Sequence, residues 1–251
     1  MTSLRDRWSA GEATFGAWCT IPNPWTAELA ARSGHDWVCI DTQHGLIGYD
    51  AMLPMLQAIG TTGVTSLVRV QWNEPAAIMK ALDAGAGGVI VPLVNSVAEA
   101  RAAAGACRYP PDGFRSMGPI RARVVGGDEW RMPLCIVMIE TVDAVKRADE
   151  ILAVPGIDAV FIGPNDLAAS AGLDSGYEGR DPEHRRLILE VLAAARAHHV
   201  TAGIMCGSPG VAQQWSEQGF QMLALQSDSQ LLAGASAQIV TEARELLAKK
   251  V

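Results

Sequence analysis

Polar residues that could do chemistry follow directly after short apolar segments at four points in this sequence. They are Asp41, Gln43 and His44 at the first point, Arg69 at the second, Glu140 at the third, and Asn165 with Asp166 at the fourth. Paired carboxylates hold hard cations such as Mg²⁺ or Mn²⁺ through oxygen. An imidazole exchanges protons near neutral pH, and a guanidinium binds anions. If these side chains converge, they could bind a metal ion and activate an anionic small molecule beside it.

Structural roles remain open for the same residues. Arg69 could pair with one of the nearby acids, Asp166 could cap the helix that follows it, and His44 could be an ordinary surface residue. Two converging carboxylates could also serve a glycosidase. Asp83 lies near the end of the helical segment KALDAG, where an acid opposes the helix dipole unless it has a partner. The set as a whole therefore supports a catalytic site better than any one member does.

The segments that would position these residues alternate regularly between strand and helix patterns. Eight short apolar segments are separated by helix-period segments, which is typical of repeated βα units. The apolar segments are residues 15–21, 36–41, 65–70, 87–94, 134–140, 158–163, 201–206 and 220–226. Near-continuous apolar strands indicate a parallel sheet with helices on both faces. We predict a closed (β/α)8 TIM barrel, with an open doubly wound sheet as the alternative.

In such a barrel, the active site lies at the carboxyl ends of the strands. Glu140 and Asp166 follow the fifth and sixth predicted strands, and sequential strands are normally neighbours. Their carboxylates are therefore expected to converge on one cation.

Composition narrows the kind of protein and its partners. The 251 residues carry 27 acids and 20 bases, for a formal net charge of −7. This length suits one barrel domain over residues 1–251, and the acidic balance argues against nucleic-acid and membrane partners. We find no apolar run of membrane-spanning or signal-peptide type, and the five widely spaced cysteines predict thiols in the core. We expect a cytoplasmic protein that acts on small molecules.

A long connection at residues 108–133 leads from the fourth predicted helix to the fifth strand. Its length exceeds the few residues that are usual between such elements. Its polar residues Arg115, Ser116, Arg121 and Arg123 could bind a substrate carboxylate or a neighbouring subunit, or form a solvated basic loop.

A set of motifs in a fixed order resembles a known family. The motifs are GAW at 16–18, DTQHG at 41–45, VRV at 68–70, ALDAG at 81–85, VPLV at 91–94, YPPDGFR at 109–115, IET at 139–141 and FIGPNDL at 161–167. From about residue 13 to residue 170 the chain resembles the HpcH/HpaI aldolases. The resemblance implies a phosphoenolpyruvate/pyruvate-type barrel whose C-terminal helix packs on a partner subunit in a homohexamer, a trimer of dimers. It also implies a divalent metal (Mg²⁺, Mn²⁺ or Co²⁺) and no Schiff-base lysine.

The resemblance implies roles at the metal for three residues. Glu140 and Asp166 would hold the ion onto which a 2-oxo acid such as pyruvate chelates. Arg69 would bind the substrate and stabilise the developing enolate oxygen.

The other implied roles concern proton transfer and substrate contacts. His44 would be the general base, working through a proton relay, and Asp83 would orient its imidazole. Asp41 would lie near the aldehyde. The remaining expected substrate contacts are Gln43, Ser116, Asn165 and Asp166.

Two positions depart from the pattern of many relatives. Gln43 stands where many carry Glu, which removes a charge beside His44. Met138 stands where many carry Gln, which removes a polar contact to the oxo acid. Both changes leave the class of reaction unchanged and bear on the choice of substrate.

These observations lead to one hypothesis about function. We expect a metal-dependent class II aldolase that reversibly joins pyruvate or hydroxypyruvate to an aldehyde, giving a 4-hydroxy-2-oxo acid. The alternatives are a CoA-thioester lyase of the citryl/malyl type from the same superfamily and a non-catalytic ligand-binding barrel.

Overall fold

The computed structural model describes residues 2–126 and 129–248. Within them, eight parallel strands follow one another in chain order and close into a barrel, with the last strand beside the first. The strands are β1 (Thr14–Cys19), β2 (Trp37–Asp41), β3 (Thr65–Arg69), β4 (Gly88–Val91), β5 (Leu134–Ile139), β6 (Ala159–Ile162), β7 (Thr201–Met205) and β8 (Met222–Ser227). This arrangement confirms the predicted (β/α)8 barrel and excludes the open sheet.

Helices connect the strands and cover the outside of the barrel. They are α1 (Leu4–Ser9), α2 (Pro24–Arg32), α3 (Tyr49–Gly60), α4 (Pro75–Asp83), α5 (Val97–Cys107), α6 (Ala122–Val125), α7 (Val142–Val145), α8 (Ala148–Leu152), α9 (Pro164–Ser170), α10 (Pro182–Ala197), α11 (Pro209–Gln218) and α12 (Asp228–Ala248). The long connection between α5 and β5 holds only α6 and a single 3₁₀ turn at Glu129–Arg131 in its described part.

One helix that the sequence pattern did not predict closes the amino end of the barrel. Leu4 and Trp8 of α1 belong to the same buried cluster as the side chains of the barrel interior. The Trp8 indole N–H donates to the Thr14 hydroxyl at 2.9 Å. The segment before β1 is therefore part of the folded core.

The apolar core has two layers, one inside the barrel and one between the strands and helices. The inner layer includes Trp37, which has no exposed surface. Gly16 on the adjacent strand makes room for it, because a Cβ at that position would overlap the Trp37 ring. All five cysteines are buried free thiols, which confirms their predicted place in the core.

The alternation of side chains along the strands carries polar residues to one end of the barrel interior. Cys39 in β2 and Met138 in β5 both belong to the inner layer. Two residues further along, on the same face of each strand, stand Asp41 and Glu140. Arg69 is aligned with Asp41 across the β2–β3 pair. The apolar interior therefore ends in a charged layer at the carboxyl ends of the strands.

No helix within the described residues combines the length and the apolar character needed to cross a membrane.

Candidate active site

A cavity of about 290 Å³ opens at the carboxyl ends of the strands. Five of the predicted site residues line it, namely Asp41, His44, Arg69, Asn165 and Asp166. Apolar side chains form its inner wall, and Trp18 stacks against Phe161 there with 5.5 Å between ring centroids. The structure therefore gathers residues from β2, β3 and the β6–α9 connection around one small space, as the strand-end pattern predicted.

A larger cavity of about 460 Å³ lies at the amino ends of the strands. Two arginines, Arg5 and Arg121, are among its lining residues. Among the described residues its lining contains neither a carboxylate nor an imidazole, the groups that acid–base catalysis and hard-cation binding would use.

Asp41 and Arg69 form a buried, two-pronged ion pair. Arg69 Nε donates to Asp41 Oδ1 at 2.9 Å, and Nη2 donates to Oδ2 at 2.6 Å. Burial alone would raise the pKa of Asp41, but the hydrogen bonds and charge of Arg69 and the hydrogen bond from Trp18 outweigh it, so the pKa is lowered. Asp41 is therefore a permanently charged partner that positions Arg69, and its lone pairs are largely occupied.

The other side of the Arg69 guanidinium remains available. Its Nη1 group donates to no acceptor among residues 2–126 and 129–248, and its carbon lies 5.0 Å from the centroid of the Trp18 ring. A guanidinium held in this way presents fixed N–H donors to the cavity. Arg69 can bind an oxyanion there without losing its structural partner.

Glu140 is a buried carboxylate whose capacity to accept hydrogen bonds is only partly used. Its side chain is buried, and Oε1 accepts a hydrogen bond from the Leu93 amide at 2.8 Å. Oε2 is buried and has no hydrogen-bond partner in the described part of the chain. It lies so close to Gly163 that a Cβ at that position would overlap it. Desolvation, with help from the charge of Asp166, raises the pKa of Glu140 to about 7.

The pair of carboxylates fits a hard divalent cation that keeps open coordination positions. Asp166 stands in the first turn of α9, lines the cavity and is near enough to influence Glu140. No cluster of three or more His, Cys, Asp or Glu side chains suited to a metal occurs among the described residues. Mg²⁺ commonly binds through one or two carboxylates and fills its other positions with water and substrate. The unpartnered Glu140 oxygen is the atom that such an ion would satisfy.

His44 and Gln43 occupy the connection after β2. The His44 backbone N–H donates to Asp41 Oδ1 at 3.3 Å, while its imidazole is exposed, lines the cavity and makes no hydrogen bond to the described residues. Gln43 does not line the cavity, and its buried Oε1 has no partner within the described chain. The imidazole therefore faces the cavity without a hydrogen-bond partner in the described chain, and Gln43 reaches a substrate only if its side chain turns.

Asp83 and Ser116 lie away from this cavity. Asp83 ends α4, which returns the chain to the amino ends of the strands, and its carboxylate accepts a hydrogen bond from Arg115 Nη2 at 2.7 Å. Ser116 follows Arg115 on an exposed segment beside Met79 of α4. Within one chain, the predicted contact between Asp83 and His44 is not formed, because the two residues lie at opposite ends of the barrel.

The structure also adds residues that sequence reasoning missed. Trp18 could have been found from the alternation in β1, since it lies on the inward face two residues after Gly16. Tyr177 comes from the loop after α9 and lines the cavity, and nothing in its sequence context marks it. Leu93 contributes its backbone amide only, which no pattern of side chains could reveal.

The fold and the cavity together define the class of this protein. A closed (β/α)8 barrel that places two carboxylates, a tethered guanidinium and a free imidazole at the carboxyl ends of its strands has the organisation of a barrel enzyme. The profile of the HpcH/HpaI aldolase/citrate lyase family matches residues 14–235. The chain belongs to this family, which confirms the predicted resemblance and the predicted carbon–carbon lyase class.

Individual relatives agree with this assignment. The chain is 39% identical to a hydroxypyruvate/pyruvate aldolase of Rhizorhabdus wittichii, with 98% of this chain and 100% of the relative covered. It is 36% identical to a 4-hydroxy-2-oxo-heptane-1,7-dioate aldolase of Salmonella dublin, covering 94% of this chain and 92% of the relative. A crystal structure of a family member from Burkholderia cenocepacia superposes with a TM-score of 0.90 at 31% identity, covering 97% of this chain and all of that one.

Proposed function

We propose that this chain is a divalent-metal-dependent class II aldolase that reversibly adds pyruvate or hydroxypyruvate to an aldehyde. The observation that supports this most directly is the buried, unpartnered Oε2 of Glu140, near Asp166 and Arg69. A buried carboxylate oxygen without a donor is costly unless a cation satisfies it. The aldolase names of the two relatives favour a 2-oxo acid as the bound substrate.

Glu140 and Asp166 are the residues that would hold Mg²⁺, Mn²⁺ or Co²⁺. The ion, when bound, would supply Lewis-acid polarisation of the keto oxygen. Arg69 would direct Nη1 at the same oxygen and stabilise the negative charge that develops when the substrate enolises. Asp41 would keep the guanidinium in place through its two hydrogen bonds, and Asn165, which also lines the cavity, would contact the substrate.

His44 is the proposed general base. Its free imidazole would accept a proton from the carbon next to the keto group through a water molecule, which leaves the enolate carbon to attack the aldehyde. The same imidazole would then return a proton to the new alkoxide. In the cleavage direction, the two proton transfers run in reverse.

Deuterium exchange into the methyl group of pyruvate tests the proposal without a choice of aldehyde. We expect NMR of pyruvate in D₂O to show exchange that depends on the protein and on Mn²⁺ or Mg²⁺, and that a chelator abolishes. Glu140→Ala and Asp166→Ala should remove the exchange, whereas Asp143→Ala, an exposed acid three residues beyond Glu140, should keep it. No exchange from wild-type protein with either pyruvate or hydroxypyruvate would refute the aldolase proposal, and a binding assay with CoA esters would then test the lyase alternative.

We propose in addition that the chain works as a homo-oligomer, a hexamer built from dimers as the resemblance implies. Helix α12 has 21 residues and none of them is buried. Its large exposed apolar residues are Leu231, Leu232, Ile239, Val240, Leu246 and Leu247. Leu232, Ile239 and Leu246 recur every seven residues, which is the spacing of a helix that packs along another surface. A second copy of the chain is the partner that this face supports.

Such an assembly is also what a catalytic role for Asp83 requires. The Asp83 side chain keeps 34% of its surface exposed beside Arg115, so a neighbouring subunit's His44 could reach it. Ser116, exposed next to Arg115, would approach a substrate in the same way. For the location in the cell, the five free thiols support the proposed reducing cytoplasm.

A further inference from the structure

Leu93, in the connection between β4 and α5, has a backbone conformation that is rare for its residue type. Its φ is +52°, in the left-handed region that glycine, asparagine and aspartate tolerate better than leucine. A bulky residue stays there only when its surroundings hold it. In this conformation the Leu93 amide points at Glu140 and donates to Oε1 at 2.8 Å. The strained residue therefore makes the only hydrogen bond that the Glu140 carboxylate receives from the described part of the chain.

Asn95 bridges the strained residue to the segment that follows β5 and carries Glu140. Its Nδ2 donates to the Leu93 carbonyl at 2.8 Å, and its Oδ1 accepts a short hydrogen bond from the hydroxyl of Thr141, the residue after Glu140. Between the two, the Val94 amide donates to the Met138 carbonyl at 3.1 Å. The amide group of Asn95 thus ties the carbonyl of Leu93 to the side chain of Thr141, the residue after Glu140.

We propose that Asn95 is a positioning residue, which holds Leu93 in the left-handed conformation and thereby orients the Glu140 carboxylate for metal binding. This inference rests on the proposed function, because it takes Glu140 to be a metal ligand. Partners that hydrogen-bond to a metal-binding side chain fix its orientation, and removing one commonly weakens metal binding by about 10- to 100-fold. Asn95 would act one step further out, through a backbone amide.

The first test is the affinity of the full-length protein for Mn²⁺, measured by EPR of the free ion. Asn95→Ala should weaken binding by about 10-fold or more, because Leu93 can then leave the left-handed region and withdraw its N–H. Asn95→Asp keeps the acceptor for Thr141 but loses the donor to Leu93, and we expect the same direction. It serves as the second variant if the alanine protein folds poorly.

A second substitution turns this into a rescue experiment. Glycine adopts positive φ without the penalty of leucine, so the double variant Leu93→Gly/Asn95→Ala needs no bridge to present the N–H. We expect its affinity for Mn²⁺ to lie within about 3-fold of the wild-type affinity, although it also lacks the Asn95 side chain. A purely structural role for Asn95 would instead make the double variant weaker than the single one.

The matched control lies one residue further along the same loop. Ser96 caps α5 by accepting from the Glu99 amide at 3.2 Å, and its hydroxyl makes no hydrogen bond to Leu93 or Thr141 in the described chain. Ser96→Ala should therefore loosen the helix start but leave Mn²⁺ affinity within about 2-fold of wild type. If Ser96→Ala weakens Mn²⁺ binding as much as Asn95→Ala does, the effect is a general one of the loop and the inference is wrong.

Amide hydrogen exchange of Leu93 in metal-free protein gives an independent readout. The hydrogen bond to Glu140 should protect this amide in wild type, the protection should fall at least about 10-fold in Asn95→Ala, and the double variant should restore it. Wild-type protein that binds no Mn²⁺, or binds it equally well as Glu140→Gln, would overturn the proposed function and this inference with it. Glu140-dependent Mn²⁺ binding that Asn95→Ala leaves unchanged would overturn only the inference.

Discussion

Replacing Glu140 by Gln should change how the stability of the metal-free protein depends on pH. Burial raises the pKa of Glu140 from its ordinary 4.5 to about 7. Between these two values, the folded protein holds a proton that the unfolded chain releases, so the free energy of unfolding falls as pH rises through this window. This direction is opposite to that of a carboxylate stabilised by an ion pair. Above pH 7 the folded protein bears the full cost of a buried, ionised carboxylate.

The size of the effect follows from the same two values. Each unit between the two pKa values corresponds to about 1.4 kcal/mol, so the wild-type protein should lose about 3 kcal/mol over the window through this residue. The side-chain amide introduced by Glu140→Gln carries no charge at any of these pH values and can still accept from the Leu93 amide. Its NH₂ group would stand where Oε2 lacks a partner, which costs about 1–2 kcal/mol at every pH. The quantity to compare is therefore the change with pH and not the absolute stability.

Urea unfolding of chelator-treated protein at about pH 5 and about pH 8 measures this change. The loss of unfolding free energy between the two should be larger in wild type than in Glu140→Gln by up to about 3 kcal/mol. Glu150→Gln, an exposed glutamate on α8, is the matched control and should behave as wild type. Saturating Mg²⁺ should restore the unfolding free energy of the wild-type protein at the higher pH and leave that of Glu140→Gln unchanged. Equal pH dependence in wild type and Glu140→Gln would refute the view that Glu140 is buried without a partner.

Three further predictions concern the other parts of the site and the surface of α12. Asp41→Asn should destabilise the protein by about 3 kcal/mol in urea unfolding and slow the deuterium exchange of pyruvate, because it leaves the buried Arg69 without its ionic partner; unchanged stability would contradict the ion pair. His44→Ala should slow that exchange by about 10²-fold or more while Mn²⁺ affinity stays the same, and an unchanged exchange rate would remove His44 as the base. Ile239→Glu should give a smaller species in size-exclusion chromatography with light scattering, whereas Thr241→Glu, which adds the same charge about half a turn away from Ile239 on α12, should not; an unaltered mass for Ile239→Glu would argue against assembly through α12.

Much of the site could be predicted because the strands of a parallel barrel are regular. Their inward faces alternate with period two, so the position of Asp41 after Cys39 already places its carboxylate in the interior. Glu140 stands in the same relation to Met138. The carboxyl ends of all eight strands meet at one end of the barrel, which converts residues far apart in sequence into one layer. Apolar periodicity and strand order are sufficient for that inference.

The location of Asp83 and the partner of Arg69 could not be predicted by the same reasoning. The motif that contains Asp83 is helical, and a helix that returns from the carboxyl to the amino ends of the strands carries its last residue away from the site. The side chain then finds Arg115, which a strand pattern cannot foresee. For Arg69, the sequence left open a choice between an ion pair and a substrate contact. The structure makes these roles compatible, because Asp41 binds Nε and Nη2 and leaves Nη1 free of any partner in the described chain.

The conformation of Leu93 could not be predicted from the sequence for a different reason. Its residue type favours a negative φ, and the apolar pattern of residues 87–94 predicted it at the end of the fourth strand. The observed φ of +52° results from contacts made by its neighbours, since Val94 rejoins β5 at Met138 while Asn95 is tied to Thr141. Both anchors lie on the segment that carries Glu140. The same contacts thus strain the Leu93 backbone and direct its N–H at a carboxylate. Such an arrangement can be inferred only when the positions of both segments, the β4–α5 connection and the residues around Glu140, are known.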